Sequence, residues 1–278
     1  ILNGDDPILR QFVDKNKVTY YGIDKNKYSY KTSKFQSLNV TYCPKCHNKL
    51  EYNYYHFEDS GDYYCPKCNF KRPNIDYLVT KINYNKSIIE IDDIELNIPY
   101  NILFAVNNVA AAYTVCSLLK LDKNKIASSI NKLYKNKKIF NEYPYKNRKV
   151  TVLNNKNENS STFNQSLLYV SRFNNKKTIL IGWKEISRRY NFDDISWLYD
   201  IDFEILKSDL VEKIVCVGIN RYDIATRIKY AGLENKVVVF SNLIEATNYI
   251  KDKTKEDIYA IVNFDYVKPF NELMNEGD

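Results

Sequence analysis

Four of the six cysteines stand in two Cys-Pro-Lys-Cys pairs, and their spacing is typical of a metal site. The first pair is Cys43 and Cys46, and the second is Cys65 and Cys68. Each pair presents two thiolates from one tight turn, so two such turns complete the tetrahedron of ligands that Zn²⁺ prefers. Because four thiolates leave no open coordination position, the pattern predicts a structural zinc ribbon over about residues 38–76.

The two histidines of the chain lie near these cysteines. His47 follows the first pair, and His56 lies between the pairs. Either ring is close enough in sequence to be a spare zinc ligand, although we favour solvent-exposed ribbon positions for both. With no other histidine available, they are a poor basis for a Ser-His-Asp mechanism.

A second group of polar side chains lies in residues 193–204, where carboxylates alternate with aromatic rings. Two interpretations remain open. In one, the acids cap a helix and the aromatic residues pack in the core. In the other, the carboxylates mark a site, because crowded acids are unfavourable without cations or hydrogen-bond donors.

A phosphate-binding loop is absent from these 278 residues. Neither G-x-x-x-x-G-K-[ST] nor G-x-G-x-x-G occurs, and no glycine lies between Gly61 and Gly182. The chain also begins at Ile1 without a methionine, on residues that resemble the end of a buried strand. We therefore expect an N-terminally truncated piece of a longer protein, with any phosphate site in other sequence or another chain.

Charge and composition exclude little. The net charge is +7 and the pI is about 8.8, but the lysines are scattered among acids, which is typical of a solvated surface. No apolar run approaches the roughly 20 residues that span a bilayer, and no signal segment opens the chain. Cys116 and Cys216 stand singly in apolar surroundings, so the cysteine pattern predicts a reducing, cytoplasmic compartment.

The elements that must position these residues fall into two parts. In the first, Asp6 and Pro7 predict the start of a helix that continues to about Lys15. Two further helices, within residues 101–121 and from Asp122 to about Tyr134, predict a helical hairpin. Runs of β-branched and aromatic residues predict strands around the ribbon at 18–21, 37–42, 77–83 and 87–91.

The second part alternates strands with helices. Apolar runs predict strands at 150–153, 178–183, 213–218, 237–240 and 258–264. Helical patterns follow at 162–174, 203–209, 221–231 and 242–252. This βαβ alternation predicts a mostly parallel sheet covered on both faces, with ligands at the carboxyl ends of its strands. Residues 135–148 lose periodicity and contain Pro144, so they predict a linker, with the domain boundary near residue 142.

Several segments, taken in chain order, resemble the motifs of one known family. Asn3-Gly4-Asp5-Asp6-Pro7 is similar to an N-A-D-D-P turn, and Arg72-Pro73 follows the ribbon. Asn107-Asn108-Val109-Ala110-Ala111 resembles a Y-N-A-L-A-A helix. Lys156-Asn157 with Phe163-Asn164-Gln165 is similar to a K-N-P-x-G-F-N-Q loop without its Pro and Gly.

Two longer matches lie further along the chain. Residues 194–204 are similar to D-V-S-W-x-W-D-x-D-F-E, and residues 218–232 resemble G-x-R-A-Y-D-M-A-x-R-L-K-Y-A-G. Residues 183–192 show little likeness to the family's N-D-N-x-A-D-G loop. Over essentially the whole chain, the motifs resemble the MurT family, the Mur-ligase-like subunit of lipid II isoglutaminyl synthase.

The resemblance implies an α/β fold. Residues 1–142 would be the remainder of a Mur-ligase central, ATP-binding domain with the four-cysteine zinc ribbon inserted. Residues 143–278 would form a Rossmann-like α/β C-terminal domain that docks a glutaminase.

The resemblance also implies a reaction. ATP phosphorylates the α-carboxyl of the D-glutamate in lipid II, and ammonia released from glutamine displaces the phosphate to give D-isoglutamine. The implied cofactors are ATP and Mg²⁺, with Zn²⁺ structural, and the implied partner is a GatD-like glutaminase in a heterodimer. The enzyme would act in the cytoplasm at the inner face of the membrane, and we expect this chain alone to be inactive.

By the same match, Asn3 and Asn108 should face the adenine of the nucleotide, and Asp6 should lie close by. Asp194 would assist the catalytic Cys and His of the glutaminase, with Asp200 and Asp202 as runners-up. A function of a different class remains as an alternative: a non-catalytic zinc-ribbon protein that binds nucleic acid through its Lys and Tyr residues.

Overall fold

The computed structural model describes residues 1–13, 17–134, 140–154, 159–184 and 194–275. It divides into two compact units, Ile1–Lys138 and Ile139–Asp278. Each unit has a sheet of its own, and each is described separately below.

The first unit is built on a mixed sheet with two helices. Within the described residues, five of its strands form this sheet in the order β1-β2-β5-β6-β7, with β1, β2 and β5 parallel and β6 and β7 antiparallel. The strands are β1 (Leu2–Asn3), β2 (Tyr20–Ile23), β3 (Glu51–Phe57), β4 (Ser60–Tyr64), β5 (Tyr77–Asn83), β6 (Ile88–Ile91) and β7 (Ile94–Asn97). Helix α1 (Leu103–Leu118) packs against β2 and β5, and α2 (Lys123–Tyr134) packs against β7.

The ribbon is inserted between two neighbouring parallel strands, β2 and β5. Its body is the antiparallel hairpin of β3 and β4, which the sequence reading did not predict. Residues 37–42 were predicted as a strand, but only Tyr42 pairs there, in an isolated bridge with Lys49. In a four-cysteine lobe, the knuckle turns rather than strand propensity fix the backbone, so this prediction was wrong.

The second unit contains a sheet that is parallel except at one edge. In its described part, the strand order is β12-β11-β10-β13-β9-β8, and only β8 is antiparallel to its neighbour. The strands are β8 (Asn141–Tyr145), β9 (Arg148–Leu153), β10 (Lys177–Trp183), β11 (Val211–Gly218), β12 (Val237–Phe240) and β13 (Asp257–Val262). The helices are α3 (Ser160–Ser171), α4 (Arg221–Tyr230), α5 (Leu243–Lys253) and α6 (Phe264–Asn275).

Helices cover both faces of this sheet, as the continuous apolar strands predict. Every residue of β10 is buried. Helices α5 and α6 pack on one face, where Leu180 and Val215 share a core with Ile250 and Phe270. The alternate residues of β10 point the other way, and there Trp183 contacts the α3 side of the unit.

Besides the strand at 37–42, three other predicted elements differ from the structure. The helix expected from Asp6 to Lys15 is a 3₁₀ helix over Leu9–Val13, with residues 14–16 outside the described range. The helix expected at 203–209 is a 3₁₀ turn, Phe203–Leu206. The linker expected over 135–148 contains the edge strand β8, while residues 135–139 lie outside the described range.

Gly218 ends β11 in a conformation that requires glycine. Its φ is +97°, a region that side-chain-bearing residues rarely adopt. A Cβ atom there would also overlap the carbonyl oxygen of Trp183 on the neighbouring strand. Gly232 follows α4 with φ of +72°, and a Cβ there would only make ordinary contact with the Lys207 side chain, so its positive φ is what requires glycine at this helix C-terminal cap. Both glycines of the 218–232 motif therefore have structural causes.

Among the described residues, no helix is long and apolar enough to cross a bilayer.

Candidate functional site

The four ribbon cysteines converge as the sequence predicts. The Sγ atoms of Cys43 and Cys68 are 3.6 Å apart, those of Cys46 and Cys65 are 3.4 Å apart, and all four lie within 4.8 Å of one another. A Zn²⁺ ion with bonds of about 2.3 Å to four thiolates requires sulfur separations of about 3.8 Å. The cluster therefore fits a tetrahedral zinc ion.

Backbone geometry prepares this cluster for a metal. The Asn48 backbone N–H lowers the pKa of Cys46 to about 6, whereas burial raises the pKa of Cys43. His47, with φ of 60°, turns the first knuckle and leaves its ring exposed. Metal binding would hold all four sulfurs as thiolates by displacing their protons.

His56 is not the solvent-exposed residue that the sequence favoured. It is 5% exposed, and its Nε2 lies 2.9 Å from the carbonyl oxygen of Ile23. Its Nδ1 lies 3.1 Å from the Ser29 hydroxyl. Because a carbonyl can only accept, Nε2 carries the proton, and burial lowers the pKa of His56, so the ring is neutral. The ring joins the ribbon to the end of β2, away from the sulfur cluster.

The turn after β1 is fixed by a buried carboxylate, Asp5. Its side chain is fully buried. Its Oδ1 accepts a hydrogen bond from Arg72 Nε at 2.7 Å and lies 2.6 Å from Arg72 Nη2 in an ion pair. Its Oδ2 accepts from the Ile23 N–H at 2.8 Å. Burial raises the pKa of Asp5, and the guanidinium opposes that rise. With a charged hydrogen bond and a close ion-pair contact from Arg72, and one hydrogen bond from the backbone, we assign the pair as ionic.

The three residues expected at the adenine lie in the first unit. Asn3 is half-buried and accepts a hydrogen bond from the Asp5 N–H through its side chain, at 3.1 Å. Asp6 is half-buried, and it caps the following turn by accepting from the Ile8 N–H at 2.7 Å. Asn108 lies exposed in α1. Among the described residues, no hydrogen bond joins Asn108 to Asn3 or Asp6, so their common role remains a prediction.

In the second unit, Asn164 ties two of the family-like segments together. This residue of α3 is 1% exposed. Its side-chain oxygen accepts from the Asp202 N–H at 2.8 Å, and its amide donates to the Asp200 carbonyl at 3.2 Å. One amide side chain thus pairs with the backbone of the acidic segment on both its donor and acceptor sides. The partner residues Lys156 and Asn157 lie outside the described range.

Arg227 of α4 joins the third segment to the same network. Its guanidinium donates to both carboxylate oxygens of Glu204, at 3.1 and 3.0 Å, and to the Ile201 carbonyl. Arg227 is 7% exposed. A bidentate guanidinium–carboxylate pair fixes both distance and plane. The segments around 164, 194–204 and 227 therefore form one structure, although nothing in their spacing predicts contact.

Aromatic packing divides the acidic segment into a buried part and an exposed part. Phe203 is fully buried, with its ring 5.7 Å from that of Phe163. Trp197 packs edge-on against Trp183 at 5.4 Å. Asp202 is 1% exposed, so this runner-up cannot present its carboxylate to a partner protein. Asp193 lies outside the described range.

Asp194 lies at the exposed end of this segment. Its Oδ1 accepts a hydrogen bond from the Ser196 N–H at 2.8 Å, at the start of the 3₁₀ helix Ser196–Asp200. This backbone hydrogen bond lowers the pKa of Asp194, so the side chain is an anion at neutral pH. Asp200 is also exposed. The core part of the segment therefore packs as the first interpretation predicts, and the site interpretation remains a prediction for the exposed acids Asp194 and Asp200.

Comparison with known proteins agrees with this arrangement. Residues 157–266, which include the whole network, match the family model described as MurT ligase C-terminal. The chain is also 27% identical over its full length to the MurT subunit of lipid II isoglutaminyl synthase from Staphylococcus aureus, and 24% identical over 99% of its length to that of Streptococcus pneumoniae. The second unit is therefore similar to the C-terminal part of MurT ligases, and the chain as a whole is similar to MurT subunits.

This MurT-like chain spans 62% and 61% of the length of those two relatives. Among solved structures, it is similar to a pseudomurein peptide ligase type C from Methanothermus fervidus, with a TM-score of 0.67 at 20% identity over 98% of this chain and 55% of that one. The MurF structure from Acinetobacter baumannii gives a TM-score of 0.51 at 16% identity over 72% and 45%. These similarities show a Mur-ligase fold.

The sequence indicated no role for Asp5 or Arg72 beyond membership of a family-like motif. Asp5 and Arg72 are 67 positions apart, and their contact depends on the ribbon folding back onto the turn. The Arg72-Pro73 pair after the second knuckle was a signal only through its resemblance to the family motif, because the burial that makes the guanidinium need an acid is not visible in the sequence.

We predict that the protein binds one zinc ion per chain and that Cys43→Ser abolishes stoichiometric binding. Four thiolates at these separations complete the tetrahedron, and three leave it open. Metal analysis of protein prepared without chelator measures the content. Cys116→Ser, on α1 and outside the cluster, is the control and should retain one equivalent. Unchanged zinc content in Cys43→Ser would contradict the assignment.

We predict that Arg227→Met lowers the free energy of unfolding of the second unit by about 2–4 kcal/mol, because Glu204 loses its buried partner. Urea denaturation followed by tryptophan fluorescence reports on this unit alone, since Trp183 and Trp197 both lie in it. Lys229→Met on the exposed side of α4 should change the value by less than about 0.5 kcal/mol. Equal effects of the two substitutions would contradict the stabilising role of the Arg227–Glu204 pair.

Proposed function

We propose that the chain is part of the Mur-ligase-like subunit of an ATP-dependent, glutamine-hydrolysing amidotransferase. Its reaction would convert the D-glutamate α-carboxyl of lipid II to D-isoglutamine during peptidoglycan synthesis. In this proposal, residues 1–142 belong to the central, ATP-binding domain and residues 143–278 form the domain that docks the glutaminase. The support is the similarity to MurT subunits over the full length of the chain.

The observation that carries the proposal is the exposed position of the Asp194 carboxylate. Asn164 and Arg227 form hydrogen bonds with the backbone and with Glu204 of the segment 194–204. Asp194 lies exposed at the N-terminal end of this segment. Asp194 is exposed and pairs with the backbone and side chain of Ser196, and an ionised carboxylate has further acceptor positions that another protein can use. The alternative, a protein that binds nucleic acid, gains no comparable support, because nucleic-acid binding does not explain why Asn164 and Arg227 hold this segment in place.

Asp194 has the properties that a glutaminase would use. In a Cys-His pair, a carboxylate on the far nitrogen of the imidazole fixes the tautomer and stabilises the imidazolium that forms beside the thiolate. The Ser196 N–H keeps Asp194 ionised and oriented without burying it. A subunit that supplies this acid makes hydrolysis of glutamine depend on complex formation, so ammonia is released where the acceptor is activated.

ATP would activate that acceptor by phosphorylating the carboxyl group, which ammonia then attacks with loss of phosphate. The described residues fit only part of the nucleotide. Asn3, Asp6 and Asn108 offer amide and carboxylate groups suited to an adenine base, but the chain has no glycine loop with a lysine to hold a triphosphate. We therefore assign no phosphate or Mg²⁺ contact to these residues.

We predict that Asp194→Asn lowers glutamine hydrolysis by the assembled complex on the order of 10²–10⁴-fold, as loss of the carboxylate in a triad does. The substitution keeps the size of the side chain and its bond to Ser196 N–H. Folding and complex formation should therefore be unchanged, which gel filtration with the glutaminase measures. Full glutaminase activity in an assembled Asp194→Asn complex would reject this role.

Two further variants make the assignment specific. Asp252→Asn, an exposed acid on α5, is the control and should retain full glutaminase activity. Asp200→Asn tests the exposed runner-up. Loss of activity in Asp200→Asn but not in Asp194→Asn would move the role to Asp200.

A further inference from the structure

The segment that leaves the zinc ribbon packs tightly on the turn that follows β1. A Cβ atom built on Gly4 would overlap the tip of Ile75 and lie 3.2 Å from Pro73. One built on Gly22, in the neighbouring strand β2, would lie 2.8 Å from Asp5 Oδ1 and 3.1 Å from Arg72 Nη2. Little space therefore separates the ribbon exit from this turn.

Polar contacts join the same surfaces. The Gly61 N–H, at the start of β4, donates to the backbone carbonyl of Asp5 at 3.0 Å. Arg72 holds the Asp5 carboxylate and also donates to the Ile23 carbonyl at 2.9 Å. That carbonyl receives a second hydrogen bond from His56 of β3. Three ribbon residues thus bind the turn and the end of β2.

The contact is buried and charged, which makes it sensitive to geometry. The Asp5 side chain is fully buried, and that of Arg72 is 13% exposed. A buried carboxylate that loses its guanidinium is left without compensation, so the turn would rearrange. Asn3 and Asp6 flank Asp5, and the Asn3 side chain already bonds to the Asp5 N–H. Movement of Asp5 therefore moves both neighbours.

Arg72 lies four residues after the metal-ligand candidate Cys68, on a short and well-tied path. The Cys65 N–H donates to the Phe70 carbonyl at 2.8 Å, closing the second knuckle. The Arg72 N–H then donates to the Tyr63 carbonyl at 2.9 Å, which aligns the exit segment with β4. The second knuckle belongs to the sulfur cluster, so an ion bound there would fix the direction from which Arg72 approaches Asp5.

We propose that Arg72 is a positioning residue through which the metal-loaded ribbon holds the Asn3–Asp6 turn in the conformation that binds an adenine nucleotide. The inference rests on the proposed role of Asn3 and Asp6. This role gives the ribbon a function beyond its own folding. Loss of the metal would lower the affinity for the nucleotide indirectly, through the contact of the Arg72 guanidinium with Asp5. Asp5 and Arg72 are then coupling residues, and neither needs to touch the nucleotide.

The test compares nucleotide binding with and without metal in two variants. Arg72→Lys keeps the charge but loses the planar fork, so it cannot hold Asp5 and the Ile23 carbonyl together. Titration with ATP, in the complete subunit, should show about tenfold weaker binding for Arg72→Lys with unchanged zinc content, an expected difference of about 1.4 kcal/mol. Chelation should weaken the wild type by a similar factor and the variant by less than about twofold.

Controls separate coupling from general loss of stability. Lys71→Met, at the exposed neighbouring residue, should bind ATP as the wild type does. Ile82→Val weakens the buried core of β5 and should also leave ATP affinity unchanged. Wild-type affinity in Arg72→Lys, or equal weakening of wild type and variant by chelation, would overturn the proposal.

Hydrogen exchange tests the coupling without nucleotide. The Ile23 and Gly61 amides both donate to Asp5. Chelation should accelerate their exchange at least tenfold in the wild type, while the amides of β6 and β7 keep their protection. Unchanged exchange at Ile23 and Gly61 would overturn the coupling. If zinc-loaded wild type binds no ATP, the proposed role of the turn fails, and this exchange measurement alone decides whether the ribbon holds it.

Discussion

The first unit depends on one buried ion pair, between Asp5 and Arg72. The carboxylate is fully buried, so its ionised form exists only because the guanidinium and the Ile23 N–H surround it. Such a pair contributes little net stability over an apolar contact, but removing one partner costs about 3–5 kcal/mol. Its value is specificity, because only one arrangement of turn, strand and ribbon satisfies all of its hydrogen bonds. The ribbon is thereby joined to the sheet into which it is inserted.

The second unit uses the same device for a different purpose. There the guanidinium of Arg227 fixes Glu204 and the Ile201 carbonyl, and the Asn164 amide holds the backbone on either side of Ile201. These contacts hold an irregular segment in one defined conformation. In this conformation Phe203 anchors the segment in the core and Trp197 packs on Trp183, while the carboxylates of Asp194 and Asp200 remain exposed. A loop held only by helix caps would not keep Asp194 in a defined place.

The sequence predicts features that local physics determines. The cysteine spacing predicts the sulfur cluster, and the runs at 77–83 and 237–240 match β5 and β12, because period and apolar content decide such strands. The hairpin β3–β4, the contact of Asp5 with Arg72 and the burial of His56 all depend on how the ribbon folds back, which no local pattern encodes. Asp6 does accept capping hydrogen bonds from the Ile8 and Leu9 N–H groups, as the sequence predicts, but the described residues after it form a 3₁₀ helix, Leu9–Val13. Asp194 was identified through a family motif, and only the fold separates it from the buried Asp202.

The coupling free energy between Asp5 and Arg72, which would attach the ribbon to the turn after β1, is measured most directly by a double-mutant cycle on Asp5→Asn and Arg72→Met. Native-state hydrogen exchange of amides in β2 and β5 gives the free energy of opening of the first unit for each variant. If the pair is the link, each single substitution costs about 3 kcal/mol. The double variant then costs less than the sum of the two by at least about 1.5 kcal/mol. Effects that add to within about 0.5 kcal/mol would show that the two residues act independently and that the ribbon is attached by other contacts.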